Sequence, residues 1–135
     1  MNEVEFEKIV MELPNVHREE SFGYAMFFVG NDNRLPFVTI AKTDNDFDHM
    51  SNLERDGVFR LNIGISKETF NKLISNRLDE EFDYSVLNLF LPHPHYAKQH
   101  FVCILNPEGD NLEKTKQLII EAHSIAEGRL QNKKS

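Results

Sequence analysis

The stretch "VFRLNIGI", residues 58–65, constrains the fold of this chain more than any other. Phe59, Leu61, Ile63 and Ile65 alternate with Val58, Arg60, Asn62 and Gly64. A period of two is that of a β-strand, whose successive side chains point to opposite faces. One face is apolar throughout and has to be covered. The other carries Arg60 and Asn62 as neighbours and reads as partly wet. The chain is therefore expected to fold around a sheet with one buried face. An arginine on such a strand either finds a carboxylate or presents its fork to a ligand. Asp44, Asp48 and Asp56 are the candidate carboxylates. The functional alternative is a shallow ligand or partner groove, with Arg60 and Asn62 on its floor and His93 or Tyr96 on its rim.

The remaining elements follow from periodicity and breakers. Asn2 with Glu5 has the spacing of a capping box. Phe6, Ile9, Val10 and Leu13 then recur at helical period until Pro14 ends the run. "YAMFFVG" (24–30) and "LPFVTIAK" (35–42) read as a hairpin joined by "NDNR". The acidic segment 43–57 reads as turns with a short helix around 50–55. Ser66 caps a helix carrying Phe70, Leu73 and Ile74. A second short helix is expected near 84–90. "HFVCILN" (100–106) is a further strand. Asp110 and Glu113 form a second capping-box pair, opening a final helix that runs to about residue 130. The expected architecture is one α+β domain spanning 1–135. Its antiparallel sheet has about four strands, with the N- and C-terminal helices packed on one face. "YAMFFVG" is left either as an exposed edge able to pair across a two-fold axis or as a strand covered by the first helix. Both a monomer and a homodimer are compatible with that.

Charge and cysteine content narrow the function classes. Net charge is −7, from 22 acidic and 15 basic residues. Duplex-DNA binders usually present a basic face, so a nucleic-acid partner is not expected. The clearest basic cluster, Arg129, Lys133 and Lys134, suits a helix C-terminus and a solvated tail. Cys103 is the sole cysteine. It lies in the apolar "FVCIL" and reads as a buried, inert thiol. The acidic start has no basic region ahead of an apolar run, as a signal peptide would. No stretch approaches the roughly 18 apolar residues of a membrane span. A cytoplasmic location with no membrane contact is the expectation.

The segment "LPHPHYAKQH" (91–100) holds three of the six histidines. Zinc needs three or four converging ligands. His93 and His95 are flanked by Pro92 and Pro94, and His100 stands five residues further on. His17, His49 and His123 fall in separate elements. The preferred reading is a stiff, extended lead-in to the 100–106 strand, with the histidines capping backbone groups or facing solvent. No metal and no cofactor are expected. Asp44, Asp46 and Asp48 resemble half of a calcium loop, but His49 and Arg55 occupy the positions of its Gly and Glu. They read as a solvated turn. No serine or cysteine has the setting of a nucleophile, so no catalytic residue is assigned.

"LPFVTIAKTDNDFD", "GVFRLNIGISKETF", "LPHPHYAKQHFVCILNP" and "EAHSIA" together resemble an uncharacterised bacterial family of domains of about this length. "FRLNIG" followed by "PHPHYAKQ" is its most specific feature. A more distant similarity is to the MmcQ/YjbR-like proteins, in the order of elements, in Lys42 with Asp44, and in "PHYAKQHFV". The chain departs from that pattern at Phe101, where tryptophan is usual, and in placing Tyr96 after His95. The similarity implies an α+β fold and carries a DNA-binding label that rests on fold analogy alone. The expected function is a binding or interaction domain without catalysis of its own. Its partner is an unknown small molecule or protein, and the tentative site is Arg60, Asn62, His93 and Tyr96. The alternatives are a histidine-centred metal-binding protein or enzyme, and a nucleic-acid binder.

Overall fold

The structure is a computed structural model that describes residues 1–45, 48–74 and 81–134, with side chains through residue 131. The elements in chain order are α1 (Glu3–Met11), β1 (Val16–Ser21), β2 (Tyr24–Val29), β3 (Val38–Ala41) and β4 (Arg60–Gly64). They continue with α2 (Lys67–Ile74), β5 (Leu91–Pro92), β6 (Phe101–Leu105) and α3 (Gly109–Lys134). The six strands form one sheet in the order β1-β2-β3-β4-β6-β5, each antiparallel to its neighbours.

The expected sheet of about four strands is therefore corrected to six. The four strands that apolar runs reveal, β2, β3, β4 and β6, are the contiguous centre of the sheet. The two they do not reveal are its edges. β1 reads "VHREES" and lacks an apolar alternation, because a charged edge strand needs no cover. It is held by a two-residue turn, Phe22–Gly23, with both residues left-handed at φ 54° and 83°. That is the geometry of a type I′ hairpin. At Gly23 a Cβ would stand 2.3 Å from Thr43 Oγ1. "YAMFFV" is consequently an interior strand, flanked by β1 and β3, rather than an edge. β5 is two residues long and includes a proline, which only an edge tolerates.

The caps account for the helix starts. Asn2 Oδ1 accepts from the Glu5 N–H at 2.9 Å, and Glu5 Oε1 accepts from the Asn2 N–H at 3.1 Å. Ser66 Oγ accepts from the Thr69 N–H at 3.1 Å, opening α2. α3 begins at Gly109, so Asp110 sits inside its first turn instead of capping it; there it complements the helix dipole. Among the described residues, 50–55 forms turns and 84–90 a turn followed by a single bridge from Leu87 to Leu105, rather than the short helices expected. Asp46, the segment 75–80 and the Lys133 and Lys134 side chains lie outside what is described.

Buried residues of all three helices join one cluster on one face of the sheet. Phe6 and Val10 of α1, Phe70 and Ile74 of α2, and Leu118, Ile119, Ala122 and Ala126 of α3 meet Phe27, Ile40, Leu61, Ile63 and Ile104 there. Each large apolar side chain removed from water in this way contributes about 1.5–3 kcal/mol. Among the described residues no helix is long and apolar enough to cross a membrane.

Candidate functional site

Among the described residues, no α-helix packs on the opposite face of the sheet. Strand register fixes which side chains it carries. Met26, Thr39, Asn62 and Cys103 stand in one cross-strand row, and Tyr24, Ala41, Arg60 and Leu105 in the next. A small apolar cluster of Ala41, Leu53, Val58 and Leu105 covers part of this face, and Phe28, Leu91, Phe101 and Cys103 are buried elsewhere on it. Between them lies a network of polar contacts.

Arg60 is fully buried and is the centre of these contacts. Its Nη1 donates to Asp48 Oδ1 at 3.0 Å and to Ser51 Oγ at 3.0 Å, and its Nη2 donates to Asp48 Oδ2. Its Nε donates to Asn62 Oδ1 at 2.9 Å. The Tyr24 hydroxyl donates to Asp48 Oδ2 at 2.8 Å, and the Asp48 N–H is held by Asn45 Oδ1 at 2.8 Å. The arginine can only donate, so the Asn62 amide is oriented with its oxygen towards Arg60 and its nitrogen towards Thr39 Oγ1, 2.9 Å away. Of the three candidate carboxylates, Asp48 is the one that pairs with Arg60. Burial pushes the Asp48 carboxyl up, but the Arg60 hydrogen bonds and charge outweigh burial and hold it down at about 2. Burial likewise opposes charge on Arg60, and Asp48 overcomes it, leaving the guanidinium above its ordinary value.

A cavity of about 460 Å³ opens above this network. Tyr24, Met26, Thr39 and Asn62 form its floor, with Phe101 beside them. The ring of Phe101 lies across Gly64, its cross-strand partner, where a Cβ would come within 2.9 Å of the ring. Any side chain at 64 would collide with that ring. Leu35, Pro36, Arg34 and Phe22 border the cavity on one side and His93, His95 and Tyr96 on the other.

Prolines set up the histidine side. Pro92 ends β5, and the chain turns through Pro94 into a single 3-10 turn, Ala97–Gln99. His100 then takes a left-handed conformation, φ 65°, before β6. The segment is thus a short edge strand followed by a tight connection, not an extended lead-in. His93 is buried, 5 % exposed, and its Nδ1 accepts from the backbone N–H groups of His95 (3.0 Å) and Tyr96 (3.1 Å). Two donors at Nδ1 place the proton of the neutral ring on Nε2. Burial, then the charge of Arg60, lowers His93 to about 3, so the ring is neutral across the physiological range. His95, two residues on, is exposed. Among the described residues no group of three or more His, Cys, Asp or Glu side chains is gathered to hold a metal ion.

Asn62, His93 and Tyr96 all line this one cavity, whereas Arg60 lies beneath it and borders none of it. Sequence reasoning passed over Tyr24, Met26 and Thr39. The alternation along β2 and β3 puts them on the same face as Asn62, but only the register of the hairpin brings them beside it. Cys103 is completely buried, and burial raises its thiol to about 12. Tyr24 is raised to about 12, by burial and by its bond to Asp48.

Fold and cavity together define an α+β domain with helices on one face of an antiparallel sheet and a polar-floored pocket on the other. The sequence matches, over residues 1–135, a family described as one of unknown function, DUF6194, and the chain belongs to that family. It matches no curated protein and no solved structure.

Proposed function

We propose that this chain is a small-molecule-binding domain with no catalysis of its own, and that its ligand occupies the cavity on the helix-free face. The observation that carries the reading is the contrast between the cavity's wall and its floor. The wall is largely apolar and aromatic. The floor is a hydrogen-bonded network whose charges are already paired. Such pockets, apolar with a few oriented polar groups, are how small ligands are commonly held. Catalysis would call for a group poised to exchange a proton or attack near neutral pH. His93, Cys103 and Tyr24 are all moved away from that range, to about 3, 12 and 12. The likeness to MmcQ/YjbR-like proteins, a cytoplasmic location and a role independent of nucleic acid belong to the same reading; the net charge of −7 supports the last.

The test is a thermal-shift screen of chemically diverse small molecules against the wild type and Met26→Trp, whose indole fills the cavity. Leu35→Trp, at the exposed mouth, serves as a second blocking variant. Compounds are expected to stabilise the wild type and to lose that effect in both variants. Equal stabilisation of all three proteins places binding elsewhere, and no stabilisation by any compound refutes the reading.

A further inference from the structure

We propose that the ligand is a flat apolar molecule ending in a carboxylate, which takes hydrogen bonds from His93 Nε2–H and the Thr39 hydroxyl near Arg34, while its body lies against Met26, Tyr96 and Phe101. This deepens the binding role proposed above and rests on it.

The argument begins with an imbalance of donors. His93 Nδ1 is used by two backbone N–H groups, so Nε2 carries the proton, and it has no acceptor among the described residues. No fully sealed side-chain nitrogen or oxygen among those residues lacks a partner. Nε2 therefore reaches the small accessible surface of a residue that borders the cavity. Thr39 Oγ1 already accepts from Asn62, which leaves its own proton to donate. Among the described residues the one carboxylate bordering the cavity is Asp48, and its oxygens already accept from Arg60 and Tyr24. Tyr96, His95 and Gln99, which also border the cavity, can both donate and accept, so the one-sided groups among the described residues are the two donors at His93 and Thr39. A ligand that meets them presents an acceptor.

Charge selects which acceptor. Asp48 and Arg60 cancel, so the floor is close to neutral. Arg34, exposed at the mouth, makes no ion pair among the described residues, although the chain carries a net charge of −7. Among the described residues a cationic ligand finds no free anion here, and an anionic one finds a free cation. One unpaired guanidinium suits a monoanion rather than a phosphate dianion, and its fork matches a carboxylate. The volume, near the lower end of the roughly 300–1,000 Å³ typical of ligand pockets, suits one or two rings. Phe101, which borders the cavity, gives such a body an aromatic ring to pack against.

The experiment is calorimetric titration of the full chain with three probes on one skeleton: 2-naphthoate, 2-naphthamide and the 2-naphthylmethylammonium ion. The carboxylate is expected to bind about tenfold more tightly than the amide, and the ammonium ion most weakly. Arg34→Ala, an exposed substitution that spares the fold, should cut the preference for carboxylate over amide about tenfold. Thr39→Val should weaken both. Met26→Trp should abolish both. Ammonium binding equal to or tighter than carboxylate binding overturns the proposal, as does an unchanged carboxylate preference in Arg34→Ala. If none of the probes binds while other compounds in the screen do, the carboxylate assignment fails and the binding role stands. If nothing of any chemistry binds, both fail.

Discussion

The two faces of this sheet are held by different physics. The helix-covered face is a large apolar cluster to which α1, α2 and α3 all contribute. The helix-free face has a small cluster of four buried apolar residues, and beside it a buried ion pair with its hydrogen-bonding satellites, Tyr24, Ser51, Asn62 and Thr39. Apolar contacts are non-directional and close around whatever fills them. A hydrogen-bonded network holds its members at fixed angles and does not collapse inward. That difference is why the cavity lies on the second face. It also makes the two faces respond differently to substitution and to pH.

The largest expected effect comes from breaking the ion pair. Asp48→Ala leaves the Arg60 guanidinium buried without its carboxylate, which typically costs about 3–5 kcal/mol. Ile63→Val, on the helix-covered face, should cost only about 0.5–1.5 kcal/mol. Replacing both partners, Asp48→Leu with Arg60→Met, should recover most of the loss, because apolar groups of similar volume often substitute for a buried pair. Urea unfolding of the four proteins measures this. If Asp48→Ala costs less than Ile63→Val, the network is not what holds the second face.

The same contrast explains what was legible in the sequence. The helix-covered face is written in periodicity. Phe6 and Val10, Phe27, Leu61 and Ile63, and Leu118 and Ala122 are all visible as one-sided patterns, and the four central strands come with them. Edges obey no such pattern. His17, Arg18, Glu19 and Glu20 of β1 can be any polar residues, because pairing is by backbone. Phe22 in a left-handed turn position is not what turn preferences suggest. On the second face, Arg60 announces that it needs an acid but not which one. The choice of Asp48 over Asp44 and Asp56 depends on how the 43–57 segment folds over the sheet, and that is a tertiary fact. His93 and His95 look equivalent in "PHPHY". Their difference, one buried on two backbone donors and one exposed, is set by a turn whose geometry no local pattern encodes.

Next in size is a pH effect that separates those two histidines. In the fold His93 is lowered to about 3, by burial first and then by Arg60, from an ordinary value of 6.5. Between these values the unfolded chain takes up a proton that the native ring does not. Stability therefore falls as pH drops below about 6.5, at up to about 1.4 kcal/mol per pH unit, until the ring protonates near 3. Asp48, lowered to about 2 from 3.8, adds its own loss as pH falls through that lower window. Both groups sit on the helix-free face. His93→Gln should be less stable than the wild type at pH 7, by about 1–3 kcal/mol, since the two backbone donors lose their acceptor geometry. Its deficit should shrink between pH 6.5 and 4. His95→Gln, exposed, is the control and should change stability by under about 0.5 kcal/mol at pH 7. A His93→Gln deficit that stays constant from pH 7 to 4 refutes the assignment of a buried neutral ring.

The smallest effect reports on how tightly the second face is closed at its edge. Cys103 is completely buried, and its Sγ lies 4.0 Å from the Pro92 carbonyl oxygen of β5. With the thiol raised to about 12, only on the order of one molecule in ten thousand carries a thiolate at pH 8. Native protein should therefore react with an aromatic disulfide reagent far more slowly than unfolded protein does. The residual rate is the informative quantity. β5 has two residues; besides its pairing with β6 it is tied by the Tyr84 hydroxyl to the Pro92 carbonyl at 2.8 Å and by the His93 N–H to the Phe101 carbonyl at 2.9 Å. So short an edge can detach without the helix-covered core opening, because local unfolding costs less than global unfolding where buried apolar contacts are few. The residual labelling rate should then rise only weakly with urea at low concentrations, and Tyr84→Phe, which removes one tie, should raise it several-fold while leaving the urea midpoint nearly unchanged. A labelling rate that follows the full urea dependence of global unfolding would mean that β5 is as firmly closed as the core, and the two faces would open as one.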